Sequence, residues 1–245
     1  MAVKYNVRLL FVVLCISCAV ADQLPSYIKK CKLNDEKCYV ESAQAALPHF
    51  VNGDKKVKLQ PLNPFVIEKI EVEQGGLKIK LTDVKLYFTD DLKILSVRAD
   101  FKNHKFEYTF SSPVCKLLSD YEIDGKILVV PISGKGKANI TVVDVVLHFS
   151  HDTLHEKRED GKKYVKFLTG QHETKNITRA YFDLTNLFNG DKTLSEHTLK
   201  FMNENWKDVY TELNPLLLDA LVEQEKLILN NVAGTVPLDE LFYPE

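Results

Sequence analysis

The C-terminal part of the chain contains an amphipathic segment that constrains the fold more than any other feature. Thr193 and Glu196 have the spacing of a capping box, and apolar residues then recur at helical intervals as far as Asn230. The prediction is one helix of about 37 residues, or ~55 Å, with a kink near Thr211 because Pro215 removes a backbone hydrogen bond. Its apolar stripe comprises Leu199, Met202, Trp206, Val209, Tyr210, Leu213, Leu216, Leu217, Ala220, Leu221, Leu227 and Ile228.

Residues 65–184 change to a period of two, which predicts strands. Apolar side chains alternate with polar ones at Leu77, Ile79 and Leu81, and turn signals such as Gln74-Gly75-Gly76 and Glu159-Asp160-Gly161 follow at intervals. Asp124-Gly125 between two apolar segments predicts a two-residue hairpin turn. Roughly eight strands joined by short turns indicate an antiparallel meander.

The helix and the strands must bury each other, because the chain has no second helix of comparable length to cover the stripe. An antiparallel sheet normally buries one face. We therefore predict an α+β fold in which a strongly curved antiparallel sheet wraps around the long C-terminal helix, as a single domain over residues 22–245. Periodicity leaves open whether the elongated apolar interior is solid or hollow.

The N-terminal segment has the pattern of a secretory signal. Lys4 and Arg8 precede an apolar stretch, and Ala19-Val20-Ala21 provides the small residues at which a signal peptidase cuts. Residues 1–21 are predicted to be a signal peptide, and the protein to be secreted without a transmembrane segment. The mature chain has 30 Lys and Arg against 34 Asp and Glu, a balance that argues against nucleic acid as a partner.

Secretion also determines how the cysteines and the sequons are interpreted. Cys31 and Cys38 are close in sequence and are predicted to form a disulfide, and Cys115 is interpreted as a small buried hydrophobe. Asn139 and Asn176 each begin an Asn-x-Thr sequon, so both are candidate glycosylation sites. Asn34 is predicted to cap a helix that runs to Leu47.

The sequence contains only incomplete catalytic and metal-binding patterns. His151 and His155 in HDTLHE resemble a zinc-protease motif, but the segment continues a strand, and we interpret it as a solvated hairpin end. No G-x-S-x-G occurs, and Gly134-x-Gly136 lacks a third glycine. No catalytic residue, metal site or cofactor is therefore predicted. Tyr108, Tyr121 and Tyr210 lie on otherwise apolar faces and would bring hydroxyls into the interior.

Several segments together, in order along the mature chain, resemble the insect takeout and juvenile hormone-binding protein family. They are PSYIKKCKLNDEKC, PLNPFVIEKIEVEQG, YEIDGKILVVPISGKGKANIT, NLFNG, MNENWKDVYTEL and VPLDELF. The resemblance implies a tubular lipid-binding (TULIP-like) fold with a hydrophobic tunnel that carries a terpenoid hormone or a fatty-acid-like lipid. Cys31 and Cys38 match the N-terminal disulfide of this family. The chain has no cysteines for a second disulfide, which favours a takeout-like member.

The resemblance also implies that inward positions of the strands and of the helix contact the ligand. Tyr121 is the first candidate for a polar contact and Tyr210 the second. The candidate wall residues are Phe65, Ile67, Leu86, Phe88, Phe106, Val129, Val142, Val146, Trp206, Val209 and Leu213. Two alternatives stay open: a secreted module that binds membrane or bacterial lipid, and a secreted hydrolase. An unidentified receptor is a further candidate partner.

Overall fold

The computed structural model describes residues 24–243, and the predicted signal peptide lies outside this range. Within it the chain forms one antiparallel sheet and four α-helices. The strands are β1 (Phe65–Gln74), β2 (Leu77–Phe88), β3 (Lys93–Asp100), β4 (Lys105–Ile127), β5 (Val130–Lys157), β6 (Lys163–Asn176) and β7 (Arg179–Leu184). The helices are α1 (Glu36–Asn52), α2 (Lys192–Glu204), α3 (Trp206–Ala233) and α4 (Leu238–Leu241), with short 3-10 turns at Lys55–Val57 and Phe188–Gly190.

Two very long strands form the central ladder of the sheet. β4 has 23 residues and β5 has 28, and they pair antiparallel from Lys105↔Asp152 to Ile127↔Val130. β3 and β6 flank this ladder near one end, whereas β2 with β1, and β7, flank it near the other. We call these the α1 end and the β1 end, because α1 packs on β3 at the first of them.

The sheet is rolled around α3. β1 and β6 lie at opposite ends of the strand order, yet both contact this helix, as does β7. Val209, Leu213, Leu218 and Val222 of α3 are buried against the concave face. The α+β fold with a curved antiparallel sheet around a long helix is therefore confirmed.

Asparagine side chains fix the helices to unpaired strand edges. The Asn230 amide on α3 donates to the Phe167 carbonyl at 2.9 Å and accepts from the Phe167 N–H at 2.8 Å. Asn203 on α2 makes the same pair of bonds to Phe182 of β7, at 2.8 and 3.0 Å. Each amide thus satisfies a donor and an acceptor that the sheet leaves unpaired at its edge.

The C-terminal helix differs from its prediction in its start and in its continuity. Asp191, and not Thr193, caps α2, because its carboxylate accepts from the Leu194 N–H at 3.0 Å. The helix breaks at Asn205, which separates α2 from α3, and α3 continues through Pro215 without interruption. The predicted single helix is therefore two helices.

Two local predictions near the other turns are wrong. Asp35 caps α1 in place of Asn34 by accepting from the Cys38 N–H at 3.0 Å. Asp124-Gly125 is not a turn, since β4 continues to Ile127. A Cβ on Gly125 would lie 2.4 Å from the Gly76 carbonyl oxygen, so this glycine permits a close approach of the β1–β2 hairpin.

The actual β4–β5 turn consists of Leu128 and Val129. Leu128 adopts a positive φ of 54°, and its N–H donates to the Glu212 carboxylate of α3 at 2.7 Å. A contact with the helix therefore fixes the end of the longest hairpin.

Among residues 24–243, no helix is long and apolar enough to cross a bilayer.

Candidate ligand-binding cavity

An apolar cavity of about 220 Å³ lies at the α1 end of the molecule. Its walls come from α1 and the segment before it, from the inner faces of β3, β4 and β6, from the last turns of α3 and from the C-terminal segment. The lining residues are Ile28, Lys29, Cys31, Tyr39, Ser42, Ala43, Ala46, Phe50, Val97, Ala99, Phe101, Phe106, Val165, Phe167, Leu229, Val232, Ala233, Val236, Leu241 and Phe242.

The disulfide and the C-terminal segment fix the outer wall of this cavity. Cys31 and Cys38 form the predicted bond, with their Cα atoms 5.8 Å apart. The Cys31 N–H donates to the Leu241 carbonyl at 3.1 Å, and the Tyr243 N–H donates to the Cys31 carbonyl at 2.9 Å. Phe242 thereby reaches the ring of Tyr39 on α1, at a centroid distance of 5.6 Å. The two ends of the described chain therefore form this wall together.

The polar side chains in the lining are already satisfied or directed outward. The Ser42 hydroxyl accepts from the Lys29 N–H at 2.8 Å and donates to the Lys29 carbonyl at 3.2 Å. The Lys29 ammonium pairs with the exposed Glu41. The remaining surface is aliphatic and aromatic, so this cavity favours an apolar occupant.

The structure places the predicted wall residues in two regions. Phe106 lines the cavity at the α1 end. A larger group belongs to the main apolar cluster, in which α2 and α3 pack against β1, β2, β4, β5 and β7. This group comprises Phe65, Ile67, Leu86, Phe88, Val142, Trp206, Val209 and Leu213. Ligand contact by these residues stays a prediction.

Two predicted wall residues do not face the interior. Val129 lies in the β4–β5 turn with 81% of its surface exposed. Val146 lies on the opposite face of β5 from Val145 and Leu147, which are both buried. Alternation changes at Asp144, whose φ is 52°, so that inward residues have even numbers before it and odd numbers after it. Both positions were therefore assigned wrongly to the wall.

The two tyrosines predicted as polar contacts have protein partners. The Tyr121 hydroxyl donates to the Thr185 carbonyl at 2.7 Å, and burial raises the pKa of Tyr121 to about 12. The Tyr210 hydroxyl lies 3.3 Å from the Thr174 hydroxyl, and burial also raises its pKa. Tyr121 has therefore committed its donor to the backbone and keeps acceptor capacity alone for a ligand.

A group of buried polar residues was missed by the sequence prediction. His151, Thr153 and His155 occupy alternate positions of β5, and His151 and Thr153 are at most 2% exposed. Their interpretation as a solvated hairpin end is wrong. Glu225 of α3 faces this row, with 3.6 Å between its Oε2 and the His151 Nε2. We call these four residues the polar row.

The polar row adjoins the aromatic lining of the cavity. The Phe167 ring lies 5.8 Å from the His151 ring and 5.4 Å from the Phe106 ring. The Phe101 ring lies 5.2 Å from the His155 ring. All three phenylalanines line the cavity, so one layer of aromatic rings contacts both the cavity and the polar row.

Burial keeps the polar row uncharged near neutral pH. Desolvation raises the pKa of Glu225 to about 8. Desolvation, assisted by the nearby Lys226, lowers the pKa of His151 to about 4. Both pKa shifts favour the neutral forms, so the pair is a carboxylic acid beside an uncharged imidazole. Their nearest polar atoms are 3.6 Å apart, which is too long for a hydrogen bond.

The candidate glycosylation sites and Cys115 lie outside the lining of the cavity. Asn176 is exposed at the end of β6, and its amide donates to the Asp144 carbonyl at 3.2 Å. Asn139 is half-buried in β5 between β4 and β7. Glycosylation of either stays a prediction.

Burial raises the pKa of the Cys115 thiol to about 12, which agrees with its interpretation as a small buried hydrophobe. Residues 24–243 contain no group of three or more His, Cys, Asp or Glu arranged to hold a metal ion.

A long helix inside a rolled sheet, with an apolar cavity at one end, defines a class of tubular domains that enclose apolar space. The sequence model of the family described as "Haemolymph juvenile hormone binding protein (JHBP)" matches residues 9–243. This chain belongs to that family of binding proteins.

Individual relatives agree with this membership. The chain is 31% identical over 243 residues to the circadian clock-controlled protein daywake of Drosophila melanogaster, covering 94% of this chain and 93% of the relative. The daywake protein of Drosophila yakuba is 31% identical over 232 residues, with coverage of 90% and 89%. The crystal structure of Epiphyas postvittana Takeout 1 superposes with a TM-score of 0.82 at 28% identity, covering 89% of this chain and all of that one.

Proposed function

We propose that this protein is a secreted, non-catalytic carrier of a small hydrophobic molecule, such as a terpenoid or a fatty-acid-derived lipid. The observation that carries the proposal is the cavity at the α1 end, which is lined by aromatic and aliphatic side chains and bounded on its outer side by the disulfide-linked N-terminal segment and the C-terminal segment. Membership in a family of binding proteins supports it.

The size of the cavity limits what it can hold without rearrangement. At about 220 Å³ it exceeds a benzene-sized cavity of ~150 Å³. It falls below the ~300 Å³ at which pockets for drug-sized ligands begin. A ligand of terpenoid or fatty-chain length would therefore place part of its chain here and displace aromatic side chains to continue along the interior. Phe106 and Phe167 lie in the direction of the polar row and are the residues expected to move.

Desolvation of the ligand supplies most of the affinity. Burying ~300 Å² of apolar ligand surface contributes roughly 7 kcal/mol before the cost of association is subtracted. One or two polar contacts would then be needed to reach a micromolar or submicromolar dissociation constant.

Blocking the cavity from α1 tests the proposal. Ala43 lines the cavity, whereas Ala45 is exposed on the outer face of the same helix. Ala43→Phe should raise the dissociation constant of the apolar fluorophore N-phenyl-1-naphthylamine, measured by fluorescence titration, by about tenfold or more. The reason is that a benzyl side chain removes much of the apolar volume available to the probe. Ala45→Phe is the matched control and should bind as the unmodified protein does.

Two results would contradict the carrier proposal. The first is equal probe binding by Ala43→Phe and Ala45→Phe when both have the melting temperature of the parent protein. The second comes from mass spectrometry of an organic-solvent extract of the protein as it is secreted. A hydrophobic molecule at a defined ratio to protein is expected, and an extract without one would contradict loading before secretion.

A further inference from the structure

The polar row gathers most of the buried polar atoms that have no hydrogen-bond partner within the protein. Nine buried side-chain nitrogen or oxygen atoms in residues 24–243 have none, and six of them belong to this row. They are both ring nitrogens of His151, the Thr153 hydroxyl, the His155 Nε2 and both carboxyl oxygens of Glu225. Buried polar atoms are normally paired, so their concentration in one place indicates a site that meets a polar group.

The row lies along the interior next to the cavity. Inward-facing residues of β5 continue from Leu147 and Phe149 into His151, so the row extends an apolar face. Glu225 precedes the cavity residue Leu229 by one helical turn on α3. A chain that enters from the cavity and passes the phenylalanine layer would bring its leading atoms to this row.

The protonation states decide which polar group fits. A neutral carboxylic acid presents one O–H donor and one carbonyl acceptor, and a neutral imidazole presents one N–H donor and one nitrogen acceptor. A hydroxyl group both donates and accepts, so it can satisfy one atom of each kind. An ether or ester oxygen only accepts, and it would leave the acceptors of the row unpaired. A carboxylate would bring a charge into the apolar interior.

We propose that the polar row of His151, Thr153, His155 and Glu225 binds the hydroxyl group of an apolar alcohol whose hydrocarbon chain extends into the cavity at the α1 end. This assignment rests on the proposed carrier function and narrows its ligand to a hydroxyl-bearing lipid. His151 and Glu225 make the central contacts, because their polar atoms lie 3.6 Å apart and a hydroxyl oxygen can approach both.

Two isomeric probes test the assignment on the unmodified protein. 1-Decanol and 1-methoxynonane have the same composition and differ in whether the oxygen carries a hydrogen. Competition against N-phenyl-1-naphthylamine near neutral pH should show the alcohol binding about tenfold more tightly, which is the effect of roughly one net hydrogen bond. Equal constants for the two isomers would overturn the proposal and would mean that the row holds internal water only.

Substitutions test whether the polar row causes the preference for the alcohol over the ether. In His151→Leu the dissociation constants of the alcohol and the ether should lie within about threefold of each other, because the alcohol binds more weakly. Glu225→Gln should retain a preference for the alcohol, because an amide still donates and accepts. His172→Leu is the matched control, since His172 of β6 also faces an acid of α3, Asp219, at 3.2 Å, and it pairs with Phe149 of β5 and not with a member of the row. A control that loses the preference as fully as His151→Leu would overturn the assignment.

The outcome is separable from that of the carrier proposal. Tight binding of both isomers without discrimination refutes the hydroxyl site and leaves the carrier function standing. Failure of both isomers and of the fluorophore to bind refutes the carrier function and this inference with it. The isomer comparison needs no substitution, so it stays decisive if His151→Leu does not fold.

Discussion

Replacing Glu225 by Gln should change how the stability of the protein depends on pH. Burial raises the pKa of the Glu225 carboxyl from its ordinary 4.5 to about 8. The folded protein therefore keeps a proton that the unfolded chain releases, and the contribution of Glu225 to the free energy of unfolding falls as the pH rises from about 4.5 to about 8. At ~1.4 kcal/mol for each pH unit, the total loss is on the order of 5 kcal/mol.

His151 produces the opposite slope at lower pH. Its pKa is lowered from 6.5 to about 4, so the unfolded chain binds a proton that the folded protein excludes, and stability rises with pH across that window. The two slopes cancel between about pH 4.5 and 6.5, which leaves a plateau. Above it the Glu225 effect alone remains and lowers stability by roughly 2 kcal/mol by pH 8. The neighbouring charges are Lys226 and Glu223, which pair with each other, and Asp152 on β5.

Urea denaturation followed by circular dichroism measures this effect. Unfolding free energies of the parent and of Glu225→Gln should differ increasingly in favour of the variant as the pH rises from about 4.5 to 8. Asp219→Asn removes a carboxylate from the same helix where the side chain is 78% exposed, so it separates the effect of burial from that of lost charge. A difference between the parent and Glu225→Gln that stays constant with pH would refute the neutral, buried carboxyl.

Three further variants test the packing and the cross-link. Gly170→Ala should lower stability by about 1–3 kcal/mol in urea titrations, because its Cβ would lie 2.4 Å from the Val222 Cγ1. Asn230→Ala should cost about 1–3 kcal/mol and raise amide hydrogen exchange in β6, since it leaves a backbone donor and acceptor unpaired. Replacing Cys31 and Cys38 together by Ser should cost roughly 2.5 kcal/mol by calorimetry, as expected for so short a loop.

Long-range periodicity predicted the architecture because it reports burial directly. The stripe that includes Val209 and Leu213 required an apolar partner, and alternation along β2 identified the sheet that supplies it. Local signals were less reliable where tertiary contacts competed with them. The Asp124-Gly125 pair has strong turn propensity, but close packing against Gly76 accounts for the glycine, and the chain turns instead at Leu128, where Glu212 binds the backbone.

The candidate site was predicted less completely because the backbone conformation of one residue, Asp144, reverses which side chains of β5 face inward. Strict alternation places Val142 and Val146 on the same side of β5, whereas the positive φ of Asp144 moves Val146 outward and Val145 inward. Nothing in the local sequence fixes that change, although Asp is among the residues that tolerate this backbone conformation. The contribution of α1 to the cavity was missed for a different reason, since a helix with few large apolar side chains gives a weak amphipathic pattern.

The same inversion explains why the polar row was interpreted as solvent-exposed. Once Val145 faces inward, continued alternation carries His151, Thr153 and His155 to the inside. A buried polar group without a partner costs about 1–3 kcal/mol, and several in one place would consume much of the 5–15 kcal/mol by which a domain is stable. Leucine or valine at these positions would avoid that cost, and the proposed recognition of a hydroxyl group would account for the polar residues found there instead. A guest that supplies the missing hydrogen bonds should consequently raise the melting temperature more than an equally apolar guest that cannot.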